Sequence, residues 1–318
     1  MSGAAEDLAS VRRIIGEELR QPLFPAAAAA AGDIRALHQG AVAQLFYGSC
    51  LRDGSDGDRI LDYYVLVDDL GRANGGPVLG FLNRILPPNV FYRETRFDGR
   101  TVRSKYALMS LDGFVDAMGE GHLNPSFWAR FTQPCALAWA RDDRVAAIVE
   151  GAVTRAVVTA AGAAGRALAE PLSADELWSG LFRMTYGAEL RSENASTKGA
   201  EIFAEFPERY RMLTLPALRA AGIDASAGQT GSIRVPVSAE ARRREARRWR
   251  CRRVQGKTLS VLRLVKGAFT FKGGLDYLAW KIRRHSGVSI QISPWQRRHP
   301  IIGGLYLMMK TRRSGAYR

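Results

Sequence analysis

The residues best suited to chemistry lie in two short segments near the start of the chain. Tyr47, Gly48 and Ser49 end a short apolar segment. Asp62 lies inside the next apolar run, 60–67. A glycine lets the backbone approach a phosphate group closely, a serine offers it a hydroxyl and an amide, and a nearby carboxylate can bind a divalent metal ion. The spacing therefore predicts a phosphate- and metal-binding site between two strands.

A metal site of this kind usually has a second acid, and its position is open. Two residues after Asp62, on the same strand face, the chain has Tyr64. Asp68 shares that face but lies about 20 Å away along a regular strand, so it could join Asp62 only if the strand bends sharply. We take Asp62 and Asp68 as the predicted magnesium ligands. The alternatives to Asp68 are acids of the neighbouring loop and strand: Asp53, Asp56, Asp58 and Glu94.

Around these segments the sequence predicts a mixed sheet. The segment 43–47 and the run that contains Asp62 are predicted strands, because both are apolar and bounded by turn residues. Two more strands, 90–97 and 101–109, flank Asp98-Gly99, a dipeptide typical of β-hairpins. The first part of the chain is therefore predicted to be α/β in character.

Helices are predicted on both sides of this sheet. The apolar spacing predicts a helix over 6–20, and a second is expected over 26–43. From about 113 to 222 the pattern is helical, and Ser173 with Glu176 has the spacing of a capping box. Four segments follow from these patterns: a domain over 1–113, a mostly helical domain over 114–222, a flexible basic linker over 223–256, and a basic amphipathic region over 257–318.

Positive charge is concentrated in the last quarter of the chain. The net charge is +15. Residues 241–318 contain 21 Lys and Arg against two acids, a balance of +19, so residues 1–240 carry −4. This asymmetry predicts a polyanionic partner surface, either nucleic acid or anionic lipid.

Several classes of protein are not predicted. Cys50, Cys135 and Cys251 show no CxxC spacing, and the four histidines form no HExxH motif, which argues against disulfide frameworks, zinc sites and metallohydrolases. No run approaches about 18 consecutive apolar residues. Acids near the N-terminus do not fit a secretory signal or an organelle transit peptide. We therefore expect a cytoplasmic protein whose contact with any membrane is peripheral.

Five motifs occur in a fixed order and span about 45–285. They are Tyr47-Gly48-Ser49; Leu61-Asp62-Tyr63 through Val67-Asp68-Asp69; Gly99 to Ala107; Tyr186 to Arg191 with Glu193 and Lys198; and Lys266 to Thr270. In this order they resemble the mitochondrial-type phosphatidate cytidylyltransferases of the translocator-assembly-and-maintenance family. The sequence departs from the family pattern at Glu189, where the family has Asp, and at Ala107, where it has Gly.

The resemblance implies an α+β fold. It would contain a polymerase-β-type nucleotidyltransferase mixed sheet, a mostly helical second domain, for which a winged helix is one form, and a basic C-terminal helical segment. The implied reaction transfers CMP from CTP to phosphatidic acid, giving CDP-diacylglycerol and pyrophosphate with Mg²⁺. Asp62 and Lys105 would be catalytic. The implied nucleotide-binding residues are Tyr47, Gly48, Ser49, Lys105, Arg191 and Lys198.

Phosphatidic acid stays in the bilayer, so such an enzyme must dock on an anionic surface, where each Lys or Arg contributes about 1 kcal/mol. Residues 275–284 and 301–313 combine apolar stripes with cations, which favours peripheral attachment to the inner membrane. The alternative is that these stripes pack on the protein core. Two other functions stay open: an RNA-directed nucleotidyltransferase, and a non-catalytic adaptor that binds a membrane or nucleic acid, which Tyr64 at the second-acid position would fit.

Overall fold

The structure, a computed structural model, describes residues 2–57, 59–73, 77–168, 170, 172–189, 195–270 and 292–298. These residues have an α+β fold, in which helices cover a five-stranded mixed sheet. The strands are β1 (Ala41–Tyr47), β2 (Ile60–Val67), β3 (Asn89–Phe97), β4 (Arg100–Ser110) and β5 (Cys135–Ala140). Their order is β3-β4-β2-β1-β5, and only β2 and β4 pair in parallel.

Thirteen α-helices are assigned within the described residues, together with a short hairpin of β6 (Ser226–Ala227) and β7 (Ile233–Arg234). The helices are α1 (Ser2–Leu19), α2 (Pro25–Ala36), α3 (Ser49–Asp53), α4 (Leu70–Ala73), α5 (Pro77–Ile85), α6 (Leu111–Ala117), α7 (Ser126–Phe131), α8 (Asp143–Ala167), α9 (Ala174–Gly187), α10 (Ala195–Glu205), α11 (Pro207–Ala220), α12 (Ala239–Thr270) and α13 (Pro294–Arg298).

The two faces of the sheet bury different sets of side chains, because successive residues of a strand point to opposite sides. Tyr63 and Val65 of β2 face the alanine-rich helix α2, and the Tyr63 hydroxyl donates to the Ala27 carbonyl at 2.8 Å. Tyr64 and Leu66 face the other way and join the larger core formed with the helices after β4. One hydrophobic cluster thus connects the sheet to the helical part of the chain.

Helix α8 is the centre of this larger core. It contacts α1, α7, α9, α11 and α12. It is long and apolar enough to cross a membrane, with a mean hydropathy of 1.5 over its best 18-residue window, but 61% of that window is buried inside the protein. Its small residues allow close packing: a Cβ on Gly165 would lie 2.7 Å from a methyl carbon of Leu218. Here α8 serves as the core helix around which the others pack.

The first helix packs against a helix made much later in the chain. Helix α1 buries Val11, Ile15 and Leu19 against α8 and α11. The guanidinium of Arg209 in α11 pairs with Glu18 of α1 and also donates to the Thr132 carbonyl at 2.9 Å. Although α1 lies in the predicted range 1–113, it packs mainly against the helices α8 and α11, with a smaller contact to β5.

Most predicted elements of the sheet are confirmed. The run 60–67 is β2, and the hairpin of β3 and β4 turns at Asp98 and Gly99, whose φ angles of +49° and +71° suit a tight two-residue turn. The capping box at Ser173 and Glu176 is also present.

The end of one helix and the presence of one strand differ from prediction. Helix α2 ends at Ala36 rather than at 43, because the backbone turns at His38 and Gly40 and then enters β1. Strand β5 lies inside a range predicted to be mostly helical. Its six residues are rich in alanine and gave no clear strand pattern, yet they pair with β1 at the sheet edge.

The basic run that was predicted as part of a flexible linker belongs to the long helix α12. The helix has a buried stripe that explains why it packs: Trp249 is buried, and Arg252 pairs with Glu245 while both side chains are almost completely buried, 1% and 2% exposed. The Arg252 guanidinium also lies over the rings of Trp128 and Trp249, at 5.6 and 4.8 Å. Residues 239–256 are therefore helical, and the four predicted domain ranges otherwise stay a prediction.

Candidate functional site

Three neighbouring strands bring Tyr47, Asp62 and Lys105 into one row. Tyr47 is the register partner of Asp62 across β1 and β2, and Asp62 is the partner of Lys105 across β2 and β4. Register partners on adjacent strands point to the same face and lie about 5 Å apart. Residues separated by up to 58 positions in the chain therefore meet on the face that carries the larger core.

This row forms one wall of a cavity of about 390 Å³. Strand β1, helix α3 and the strands beside them line one side, and helices α7, α9, α10 and the residues just after them line the other. The predicted site residues that line it are Tyr47, Gly48, Ser49, Asp62, Lys105 and Lys198. Arg191, the remaining predicted nucleotide-binding residue, lies outside the described residues.

Gly48 is required by the backbone at the end of β1. Its φ of +93° and ψ of −170° fall in a region that residues with a side chain rarely adopt. A Cβ at this position would also lie 3.4 Å from Asp62 Oδ2. The glycine thus allows the sharp exit from β1 and leaves the Asp62 carboxylate accessible to the cavity.

The Asp62 carboxylate lies beside a cation and has one incompletely satisfied oxygen. Its Oδ1 atom lies 2.9 Å from Lys105 Nζ. That oxygen is shielded from solvent and accepts no hydrogen bond of normal geometry among the described residues. About a quarter of the Asp62 side chain is exposed, and the residue lines the cavity. It is therefore placed to offer a carboxylate oxygen to a bound ion.

Asp68 does not join Asp62, which corrects the predicted pair of metal ligands. Strand β2 pairs with β4 in unbroken register from Ile60 to Val67, so it has no bend that would bring the two acids together. Asp68 pairs instead with Arg141 at 2.6 Å and lines a separate groove near α4 and α5.

The other predicted alternatives are engaged elsewhere. Asp53 pairs with Arg52 and Arg59. The Arg100 guanidinium, through its hydrogen bonds, lowers the pKa of Asp56 against the opposing effect of burial. Glu94 accepts a hydrogen bond from Tyr92 at 2.8 Å. Asp58 lies outside the described residues.

The cavity has two further carboxylates, and both come from the helical side. They are Glu189, which follows α9, and Glu205, which ends α10 and pairs with Arg52 of α3. Within the ranges that the structure describes, no group of three or more His, Cys, Asp or Glu side chains is arranged for a metal ion. Magnesium is commonly held by one or two carboxylates together with substrate phosphate oxygens and water. The Asp62 carboxylate, which is partly exposed and lines the cavity, fits one such ion, brought in with a polyphosphate.

Arg130 of α7 is a cavity residue that the sequence did not predict. Its Nη1 donates to the Tyr64 hydroxyl at 3.0 Å, and its guanidinium lies 5.3 Å from the centre of the Tyr47 ring. Burial disfavours its charge, but the ionisable groups around it, led by Tyr47 and Tyr64, raise the pKa of Arg130 overall. The single arginine in the apolar segment 127–131 was the only sequence signal for it.

Helix α12 contacts both α7 and the loop before β3. Arg263 donates from Nε to the Pro87 carbonyl at 3.0 Å and lies over the Phe127 ring. Lys266 Nζ donates to the carbonyls of Leu86 and Pro88, and its burial lowers the pKa of Lys266 to about 8. The lysine of the last predicted motif therefore attaches α12 to the loop before β3.

Comparison with known proteins gives no match: neither a protein-family model nor a curated protein matches this chain. Its function is therefore inferred from the ordered motifs and from the cavity in which their residues meet.

Proposed function

We propose that this protein is a magnesium-dependent nucleotidyltransferase of the polymerase-β type, which transfers CMP from CTP to phosphatidic acid at a membrane surface. One observation carries the proposal. Residues from four motifs that are far apart in sequence, at 47–49, 62, 105 and 186–198, line a single cavity. A chance set of motif-like residues would be scattered over the fold.

The size and charge of the cavity suit a nucleotide. Its volume of about 390 Å³ lies within the usual range of small-molecule sites. Lys105, Arg130 and Lys198 bring positive charge to it, as a triphosphate requires. Gly48 provides space next to Asp62, and Ser49 provides a hydroxyl at the start of α3.

In this reaction an oxygen of the phosphatidic acid phosphate attacks the α-phosphorus of CTP. A phosphorus–oxygen bond forms there as the bond to the β-phosphate oxygen breaks, and pyrophosphate leaves with the electron pair. The attacking phosphate monoester is largely ionised at neutral pH, since its second pKa is about 6, so no protein base is needed. A magnesium ion bound by Asp62 would act as a Lewis acid on the reacting phosphate.

The protein's own residues position the chain of phosphates and offset its charge. Lys105 lies beside Asp62, so its ammonium can contact a phosphate bound there, and Lys198 lines the same cavity. Cations placed where negative charge develops on the leaving pyrophosphate lower the barrier, and each such group typically raises the rate about 10²–10³-fold.

The exposed side of α12 supports docking on an anionic membrane. Seven of its cations are exposed: Arg243, Arg244, Arg247, Arg248, Arg250, Arg253 and Lys257. Val254, Val261 and Leu262 are exposed on the same helix. Cations beside apolar side chains favour a lipid surface over nucleic acid. The predicted stripes at 275–284 and 301–313 lie outside the described residues.

The proposal is tested by incubating the purified full-length protein with radiolabelled CTP, Mg²⁺ and phosphatidic acid vesicles, and measuring label in the lipid extract. We expect Asp62→Asn to lower this transfer at least about 100-fold. Asp68→Asn is the matched control, because it makes the same change at the other end of β2, and it should keep nearly full activity.

The assay also separates the alternative functions. If the folded wild-type protein binds CTP with magnesium but leaves the lipid unlabelled, the acceptor is wrong and RNA is the next acceptor to test. If it binds no nucleotide, the chain is not a nucleotidyltransferase and the adaptor function remains. Equal losses in Asp62→Asn and Asp68→Asn would refute the assigned centre.

A further inference from the structure

At the strand position where a second acidic metal ligand is expected, the chain has Tyr64, which binds the side chain of Arg130. Tyr64 lies on the same strand face as Asp62, two residues further along β2, and is almost fully buried. Its hydroxyl accepts the hydrogen bond from Arg130 at 3.0 Å. A carboxylate here would hold a metal ion, whereas the phenol holds a guanidinium at the edge of the cavity.

Arg130 is partly exposed and differs from Arg209 and Arg252, the two arginines that are buried among the described residues. Arg209 pairs with Glu18, and Arg252 pairs with Glu245. Among the described residues, no carboxylate lies within 4 Å of the Arg130 guanidinium, although Glu189 lies near enough to favour its charged form. A partly buried charge without a direct counter-ion is costly, and a ligand with opposite charge would remove that cost.

The surroundings of Arg130 determine what kind of ligand that is. The guanidinium has five N–H donors, and the Tyr64 hydroxyl accepts from one nitrogen. The centres of the Tyr47 and Tyr64 rings lie 5.3 and 5.8 Å from its central carbon, within the range of cation–π contacts. Lys105 and Lys198 line the same cavity. The planar guanidinium of Arg130, together with the two lysine ammonium groups, can donate hydrogen bonds to several oxygens of a phosphate chain.

We propose that Arg130, held by Tyr47 and Tyr64, is an oxyanion-binding residue for the phosphate chain of the substrate. It supplies a fixed cation where related sites would use a second carboxylate to hold a metal ion. This inference rests on the proposed function for the identity of the substrate, but not for the binding of phosphate itself. Because the guanidinium is part of the protein, its contribution to phosphate binding does not require magnesium.

The test is calorimetric titration of the full-length protein with pyrophosphate in EDTA. We expect wild type to bind, and Arg130→Gln to bind about 10- to 100-fold more weakly, since a hydrogen-bonded charge pair is lost. Tyr64→Phe keeps the ring but loses the hydroxyl, so it should weaken binding by a smaller factor, about 3- to 10-fold. Arg141→Gln is the matched control, because Arg141 is outside the cavity and pairs with Asp68.

A folding defect in Arg130→Gln would be recognised from its melting curve. In that case two other variants test the proposal. They are Arg130→Lys, which keeps the positive charge but loses the planar set of guanidinium donors, and Tyr64→Phe. Pyrophosphate binding in EDTA that is unchanged in all three variants, or absent from wild type, would overturn the proposal.

Two further titrations identify the source of the phosphate. An Arg130-dependent affinity for CTP in EDTA assigns the residue to the donor, and an Arg130-dependent affinity for a soluble short-chain phosphatidic acid assigns it to the acceptor. The outcome is independent of the transfer assay. Pyrophosphate binding that depends on Arg130 supports the inference even if no lipid is labelled. Active transfer to lipid together with unaltered pyrophosphate binding by the Arg130 variants would refute this inference and leave the proposed function intact.

Discussion

The two walls of the cavity are built in different ways. The strand wall, with Tyr47, Asp62 and Lys105, is held in register by the backbone hydrogen bonds of β1, β2 and β4. The helix wall, with Arg130, Glu189 and Lys198, comes from three separate helices or their ends. Their positions depend on side-chain packing, of α7 and α9 against α8 and of α10 against α9. The strand wall therefore has its geometry fixed by the backbone, and the helix wall has a geometry that packing changes can alter.

The largest difference is expected between the two lysines that line the cavity, Lys105 and Lys198. We expect Lys105→Gln to lower kcat/KM for CMP transfer about 100- to 1000-fold, because Lys105 lies directly beside Asp62. Lys198→Gln should cost about 10-fold, because Lys198 shares its charge with Glu201 at 3.0 Å. Steady-state kinetics of both variants measure the ratio, with melting curves to check the fold. A larger loss of kcat/KM in Lys198→Gln than in Lys105→Gln would show that Lys198, and not Lys105, makes the more important contact with the reacting phosphates.

Backbone geometry should matter most at the end of β1. Gly48→Ala forces a side chain into a conformation that glycine almost alone adopts, and we expect a loss of about 2–3 kcal/mol in the free energy of unfolding. Gly54→Ala is the control, because Gly54 also has a positive φ, +60°, but a Cβ there meets nothing within 4 Å. It should cost about 1–2 kcal/mol.

Urea unfolding with and without CTP and Mg²⁺ separates the two glycine variants. Ligand that binds only the folded state raises the unfolding free energy. That increase should persist in Gly54→Ala and be lost in Gly48→Ala. An unchanged increase in Gly48→Ala would show that the turn after β1 has no part in nucleotide binding.

The helix wall is expected to respond to a change in α12. A Cβ on Gly256 would lie 2.2 Å from the Ala188 carbonyl oxygen, next to Glu189, so α12 must move away from the end of α9. We expect Gly256→Ala to cost about 1–3 kcal/mol in denaturant unfolding. Gly151→Ala, in α8 with nothing within 4 Å of the added Cβ, should gain up to about 1 kcal/mol. Equal stabilities of the two variants would contradict this packing.

The smallest effect is expected from Lys266, which attaches α12 to the loop before β3. Its pKa of about 8 in the folded state lies below the ordinary value of 10.5, so between these two pH values the unfolded chain binds more protons than the folded protein. Stability from this group therefore rises with pH across that window. Relative to Lys266→Met, the Tm of wild type should increase by about 2–4 °C between pH 7 and pH 10. A decrease would show that Lys266 is charged more readily than this burial implies.

The strand wall was largely predictable from sequence, because the patterns that indicate its strands and its hairpin turn lie in short contiguous segments of the chain. Strand β2 is an apolar, β-branched and aromatic run, and the hairpin of β3 and β4 is marked by its Asp98-Gly99 turn. Once these strands are assigned, strand register alone brings Asp62 and Lys105 together. The predicted site residues of this wall therefore meet as expected.

The helix wall was predicted only in part. Arg130 is 66 positions from Tyr64, and no pattern within α7 identifies that partner. The helix in the predicted linker was missed because the basic run follows directly after residues 221–235, which are rich in Gly, Ala and Ser and indicate a flexible connection. Its packing depends on a buried stripe of Trp249, Glu245 and Arg252.

The assignment of Asp68 to the metal required a sharp bend in the strand, because a regular strand separates Asp68 from Asp62 by about 20 Å. Strand β2 has no such bend, since it keeps its register with β4 from Ile60 to Val67.

The contact between α1 and α11 has a consequence for how the chain is made. Glu18 and Arg209 are 191 positions apart. At about 5–20 residues per second of synthesis, α1 leaves the ribosome about 10–40 s before α11 can cover it. During that interval Val11, Ile15 and Leu19 lack the cover of α11, and only α8 and β5, which are synthesised earlier than α11, can pack against α1. Helix α1 is thus made early but completes its packing only after α11 has been synthesised, and part of its apolar stripe stays exposed until then.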